Sequence, residues 1–292
     1  MPDSAFEATE RQFLDLLDSG SGPVPVEVDR YALAGVPRGE RIAALIAEEY
    51  SDLDSLYDRP PDLLLVTGAN PVERRIEDEP YWAELTELLR FGSEQVGSML
   101  LSCLSAHAAL TVFDGVEREF LTAKCTGVFA QDLEVDHPLA RGMESSVVLP
   151  HSRWNTVPEG ALRASGYELA MRSAEVGWSV ATRRIENADV VLVQGHPEYE
   201  AMSLLREYRR DLRRYASGER DELPSLPLRC VAEGDWPSLE ELHLRVTGGE
   251  REPALVETYP FNEVGARAPR SWSTVANRLY ANWLAEVAVR SN

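Results

Sequence analysis

Apolar positions recur in two rhythms along this chain. In "AFEATERQFLDLLD" (residues 5–18), Phe6, Phe13, Leu14, Leu16 and Leu17 return at near-helical spacing, and "SGSGP" stops the pattern. "VPVEVDRYAL" (24–33) alternates and predicts a strand, and residues 38–51 return to a helical rhythm. "PDLLLVTGAN" and "VGSMLLS" are continuous apolar runs of the kind that fills a buried parallel strand. Between them "YWAELTELLRFGS" reads as an amphipathic helix, and a further helix starts near Cys103. The middle of the chain is more β-like, in "ESSVVLPHSRW", "GYELAMRSA" and "VGWSVATRRI". "ADVVLVQGHPEYE" is again a buried strand, ending in Gly195-His196, and the helix "AMSLLREYRRDLRRYAS" follows it. Residues 217–262 are rich in Pro, Gly and Glu with little periodicity, and predict a long surface excursion before the closing helix "SWSTVANRLYANWLAEVAVR". The alternation predicts a single α/β domain over residues 1–292, a parallel sheet with helices on both faces.

Composition narrows what such a domain does. Lysine and arginine number 29 against 49 acidic residues, a net charge of −20 that argues against nucleic acid and against an anionic membrane surface. A small anionic substrate needs only a few local cations and stays open. The cysteines, Cys103, Cys125 and Cys230, are scattered without a CxxC pair, so neither a disulfide framework nor a zinc site is expected. "MPDSAFEATERQF" lacks the basic and apolar regions of a signal peptide, and the apolar runs fall short of the ~20 residues that cross a bilayer. These features together predict a cytoplasmic protein. "TGGERE" (247–252) is not a phosphate-binding glycine loop, and no metal or cofactor is expected.

In open parallel sheets, ligands bind beyond the carboxyl ends of the strands. Three such ends carry polar or reactive residues here: Thr67-Gly68-Ala69, Cys103, and His196 with Glu198. A free Cys is ordinarily a small buried hydrophobe, but a thiol at a helix N-terminus has its pKa lowered and its reactivity raised. Such a nucleophile needs a base and a group to orient it. His196 and Glu198 stand two apart on an extended segment, so their side chains point the same way. His107, His137, His151 and His243 compete for the role; His107, one helical turn past Cys103, reads as a packing residue. An acyl transfer also needs an oxyanion hole. The N–H of Leu104 at the helix start is one donor, and the Gly68 turn is a second.

The chain resembles the homoserine O-acyltransferases of methionine biosynthesis, which are built on a class I glutamine-amidotransferase-like, flavodoxin-like fold. "LLLVTGA", "EPYWAEL", "KCTGVF", "HPLARG", "LPHSRW", "GHPEYE", "EYRRDL" and "ANWL" fall in family order, over residues 7–216 and again near the C-terminus. The resemblance implies acyl transfer from succinyl-CoA or acetyl-CoA to the hydroxyl of L-homoserine by a ping-pong route. Cys103 would carry the acyl group, with His196 as base and Glu198 as its partner. It further implies that Arg210 holds the amino-acid carboxylate and Glu207 faces the amine, with Lys124, Ser152 and Arg153 lining the site. The acyl-CoA is a substrate rather than a cofactor, and a homodimer is expected from the family. The family position that selects the acyl group, Gly for succinyl and Glu for acetyl, falls on Val72 without gaps or on Glu73 with a one-residue shift. The ungapped alignment favours Val72 and leans to succinyl.

Two features depart from the family. Its first strand leads into a loop "NLMPKK", whereas here Met1-Pro2 fall at the end of that loop and Asp3 and Ser4 replace its lysines. The first family strand is therefore missing from the sequence, which predicts an open slot in the sheet or a compensating partner. Residues 219–262 exceed the family equivalent and align poorly. Other readings share the same residues. A glutamine-amidotransferase-like amidase would use the same Cys and His-x-Glu but prefers glycine on both sides of its nucleophile, where this chain has Ser102 and Leu104. A paralogue acting on another hydroxy-amino acid, or a binding protein that kept the fold, are further alternatives.

Overall fold

A computed structural model describes residues 2–22, 26–69, 71–134, 136–144 and 146–290. In chain order the elements are α1 (Phe6–Ser21), α2 (Glu40–Glu49), α3 (Leu53–Asp58), β1 (Leu63–Val66), α4 (Trp82–Gln95), β2 (Ser98–Ser102) and α5 (Leu104–Asp114). Then come β3 (Glu119–Leu133), β4 (Ser146–Thr156), α6 (Glu159–Ala164), β5 (Glu168–Ser173), β6 (Gly177–Ile185), β7 (Ala188–Val193) and α7 (Ser203–Ala216). The chain ends in α8 (Trp236–Thr247), α9 (Pro253–Thr258), α10 (Phe261–Ala266) and α11 (Ser273–Arg290).

The strands form one sheet in the order β1-β2-β7-β6-β5-β3-β4. β1, β2 and β7 are parallel, and every pairing beyond them is antiparallel. The sheet is thus mixed, and its parallel part is the half whose ends carry the candidate chemistry. Helices cover both faces, as the continuous apolar runs require. Along β2, Met99 and Leu101 join Val190 and Leu192 under α4 and α5, while Leu100 joins Val191 and Val193 under α1, α7 and α11. All five β2 residues are buried, so no alternation survives in the sequence.

Three segments differ from the sequence expectation. The predicted strand over 24–33, described from residue 26, forms only an isolated bridge between Tyr31 and Ser51. Its alternate apolar positions share no buried face: Val28 is 44% exposed, and Arg30 is drawn to Glu10 at 2.8 Å and Glu49 at 3.1 Å. The surface excursion expected over 217–262 instead contains α8, α9 and α10. Leu239, Val246, Val256 and Phe261 from these helices are buried in the same core as Leu205 and Tyr208 of α7. Short helices broken by Gly248-Gly249 and by prolines bury too few positions each to leave a visible period. The third is β3, to which the periodicity assigned no element. Its register slips between Phe120 and Cys125, and its first residues are exposed or half-buried. Gly127 of β3 has φ +141°, and a Cβ there would lie 2.6 Å from Leu228 O, so only glycine lets residue 228 close onto the sheet.

β1 ends the sheet, with no outer neighbour strand among the described residues. A cavity of about 1220 Å³ runs along it, lined by Leu17, Leu63, Leu65, Trp283 and Leu284 and reaching Gly68 and Leu104. Among the described residues no helix is long and apolar enough to cross a membrane.

Candidate active site

Cys103 stands between β2 and α5. Ser102 pairs with Val193 across β2 and β7, and the Cys103 amide continues the ladder by donating to Val193 O at 2.7 Å. The residue then turns sharply, with φ 56° and ψ −110°. A non-glycine side chain rarely adopts positive φ, and such strain is held only where the surroundings over-determine it. They do so here. Cys103 O accepts from Ala106 N (3.1 Å) and His107 N (3.3 Å). Ser105 Oγ bonds Ser102 O (2.9 Å) and Val66 O (2.7 Å), tying the ends of β1 and β2 together. A strained strand–turn–helix is the geometry that lifts a nucleophile out of a sheet.

β7 delivers His196 beside it. The His196 amide donates to Pro150 O at 2.8 Å, and Nδ1 meets Glu198 Oε1 at 2.7 Å. With Nδ1–H committed to the carboxylate, the other ring nitrogen is left to act as base. That atom, Nε2, is buried and has no hydrogen-bond partner at ordinary distance. Cys103 is nevertheless close enough for its charge to be felt. Burial works against the imidazolium, but Glu198 and then Cys103 outweigh it and hold His196 well above its ordinary pKa. Tyr199 stacks on the imidazole at 4.3 Å and 19°, and Trp272 Nε1 fixes the Tyr199 carbonyl at 2.8 Å.

The competing histidines are occupied elsewhere. His107 Nε2 bonds Gln194 Oε1 at 3.0 Å, and full burial lowers its pKa to about 4, so it is a neutral packing group. His151 bonds Ser179 Oγ, His137 bonds Thr182 Oγ1, and His243 meets the Tyr208 hydroxyl. Cys230 is buried with its thiol pushed up to about 12, and burial also raises that of Cys125.

Gly68 packs directly against the nucleophile: a Cβ added to it would lie 3.1 Å from Leu104 N and 3.3 Å from Cys103 Cβ. Gly68, on the turn after β1, thus lies against the start of α5.

The residues expected to hold the acceptor form one charged cluster. Lys124 on β3 donates to Glu207 Oε2 (3.0 Å) and Asp211 Oδ2 (2.8 Å). Glu207 also accepts from the hydroxyls of Ser152 and Tyr199. Burial would raise the Glu207 pKa, but Lys124 and the two hydroxyls lower it to about 2. Arg210 lies along Asp211, with Nε at 3.0 Å and Nη2 at 2.9 Å from Oδ1. Arg153 is buried on β4 opposite Cys125 and, among the described residues, donates to the carbonyls of Asn155 and Val176. Sequence reasoning missed Tyr199 and Asp211. Both lie inside motifs already singled out, Tyr199 in "GHPEYE" and Asp211 in "EYRRDL" beside Arg210.

A family model described as homoserine O-succinyltransferase matches residues 1–291. The chain belongs to the homoserine O-succinyltransferase family. A homoserine O-succinyltransferase of Methylorubrum extorquens is 40% identical over 99% of this chain and 86% of that one. One of Rhodopseudomonas palustris is 36% identical over the same shares. A solved glutamine amidotransferase of Thermotoga maritima aligns with a TM-score of 0.47 at 14% identity, over 84% of this chain and 91% of that one.

In this member of the homoserine O-succinyltransferase family the expected acyl-selecting positions face outward. Val72 is 80% exposed and Glu73 is exposed too. What the loop turns inward is backbone. The amides of Val72 and Glu73 donate to Glu79 Oε1 at 2.7 and 2.9 Å.

Proposed function

We propose that this chain moves the succinyl group of succinyl-CoA to the hydroxyl of L-homoserine, as a step of methionine biosynthesis, through a thioester on Cys103. The observation that carries this reading is the convergence of a strained Cys103, a buried His196 and its Glu198 at the ends of two adjacent parallel strands. The Cys103 thiolate attacks the thioester carbonyl while the N–H groups of Leu104 and Gly68 receive the developing oxyanion. The carbon–sulfur bond to CoA breaks, and the His196 imidazolium gives its proton to the departing thiolate. Homoserine then enters the CoA-vacated site, with its amine toward Glu207 and its carboxylate toward Arg210. Neutral His196 takes the hydroxyl proton as the oxygen attacks the acyl-Cys, and Cys103 leaves as thiolate. The route uses no metal and no cofactor beyond the thioester, and it needs a compartment that keeps Cys103 reduced.

The family names of the relatives support the donor and acceptor, and the geometry supports the covalent route. Intact-mass analysis after incubation with succinyl-CoA alone tests it. One succinyl group should appear on wild type and none on Cys103→Ser, whose transfer rate should fall by orders of magnitude. Label on Cys125 or Cys230, or full activity in Cys103→Ser, overturns the assignment.

A further inference from the structure

The molecule holds a cation beside the candidate site that the route above does not use. Arg118 lies in the turn between α5 and β3. Its Nη2 donates to the carbonyls of Glu73 and Arg74, each at 3.1 Å. Its Nε and Nη1 are buried and have no hydrogen-bond partner among the described residues. Buried guanidinium nitrogens without acceptors are costly, so two of them on one side chain imply a group that arrives with the ligand. Of the nearby carboxylates, Glu79 carries the largest charge felt by Arg118, yet its Oε2 is buried without a hydrogen-bond partner among the described residues and does not bond the guanidinium. Glu79 Oε1 caps the amides of Val72 and Glu73, and Glu77 pairs with Arg75 at 2.9 Å.

Position links this arginine to the nucleophile. The turn after β1 touches Cys103 and Leu104 at Gly68, and the same connection passes under Arg118 at residues 73 and 74. Burial lowers the Arg118 pKa; Glu79 opposes this most, followed by Tyr81, Glu77 and, last, Cys103, so the nucleophile lies within electrostatic reach of the guanidinium. A succinyl group differs from an alkyl acyl group of the same length in carrying a carboxylate, two methylenes beyond the reacting carbonyl. A carboxylate is the natural partner for adjacent guanidinium nitrogens, which it accepts in a fork.

We infer that Arg118 receives the distal carboxylate of the succinyl group and makes the enzyme select that donor. The inference rests on the donor assignment above and deepens it. It moves acyl selection from the side chains of Val72 and Glu73 to a guanidinium that their loop's carbonyls hold in place.

The test compares kcat/KM for succinyl-CoA and butyryl-CoA, which has the same four carbons and no distal carboxylate, with L-homoserine as acceptor. Wild type should prefer succinyl-CoA. Arg118→Gln should lower the succinyl value by about 10–200-fold and leave the butyryl value within a few-fold. Arg118→Lys keeps the charge but not the fork, and should fall between; it decides the matter if Arg118→Gln does not fold. Equal losses for both donors mean that Arg118 only braces the loop, and an intact succinyl preference in the variants means the carboxylate sits elsewhere. Either result overturns the inference alone. A wild type indifferent to the carboxylate overturns the donor assignment as well.

Discussion

Gly68→Ala is the sharpest probe of the proposed oxyanion hole. Gly68 does not occupy the positive-φ region, so alanine introduces no backbone strain there. The added methyl would stand 3.1 Å from Leu104 N, 3.3 Å from Cys103 Cβ and 3.3 Å from Ser102 O. An oxyanion bound by Leu104 N–H must sit roughly 2.7–3.1 Å from that nitrogen, so the methyl takes up room in the shell where the oxygen belongs. The neighbours can relax by only a few tenths of an ångström, because β1 and β2 are tied at this point by Ser105. Crowding out one donor costs about 10²–10³ in rate, or about 2.7–4 kcal/mol of transition-state stabilisation. The assay is single-turnover acylation of Cys103 by succinyl-CoA, read beside the thermal unfolding midpoint. The expected result is a large drop in the acylation rate with little change in the midpoint. An acylation rate within a factor of a few of wild type would mean that the oxyanion is held elsewhere and that Gly68 serves packing.

Two further outcomes follow from the charged groups. The His196 imidazolium exists below its raised pKa and is lost as pH climbs through it, so acylation should fall at high pH. His196→Asn should abolish that limb along with nearly all activity, whereas His107→Asn should leave the rate within a few-fold; the opposite ranking in a pH–rate series would show the wrong histidine was chosen. Glu207 is lowered from an ordinary 4.5 to about 2, so its contribution, at most about 3 kcal/mol, is present above pH 4.5 and lost as pH falls toward 2. Lys124→Met should remove much of that contribution and move acid unfolding to higher pH, and an unchanged acid midpoint by circular dichroism would contradict it.

What the sequence made legible followed from elements whose pattern is set locally. β2, β7 and the helix after each are long, apolar or strongly amphipathic, and their ends could be placed well enough to bring Cys103, His196 and Glu198 to one edge. Residues 24–33 alternate by accident of composition, and Val28 points to solvent because no sheet edge receives it. β3 is masked by its register slip, and α8 to α10 by their brevity. The site was less legible than the fold. Tyr199, Asp211 and Arg118 gain their meaning from partners far away in sequence or from a loop carbonyl, and no spacing rule carries such information. Val72 and Glu73 lie where the ungapped and shifted alignments put them, but the direction of their side chains is decided by Glu79, whose carboxylate draws in the loop amides instead.

The acceptor cluster shows how the site can stay stable and still bind. Lys124 and Arg210 set two positive charges against the two negative charges of Glu207 and Asp211, so the group is neutral as a whole. Burying an unbalanced charge would cost far more than a balanced set, and a neutral cluster can admit only a ligand that keeps the balance. L-Homoserine does so, because its ammonium and carboxylate cancel. On the proposed acceptor assignment its entry would need no net desolvation of charge, only an exchange of partners: Arg210 would trade Asp211 for the substrate carboxylate, and the ammonium would join the carboxylates left on the other side. Arg210 would be the member to make that exchange. Its side chain is about a third exposed, whereas that of Lys124 is nearly buried and bridges both acids. Under the proposed assignment the pairing of Arg210 with its own sequence neighbour Asp211 would be the closed form of a carboxylate site, and Lys124 the fixed post that keeps Glu207 ionised during the exchange.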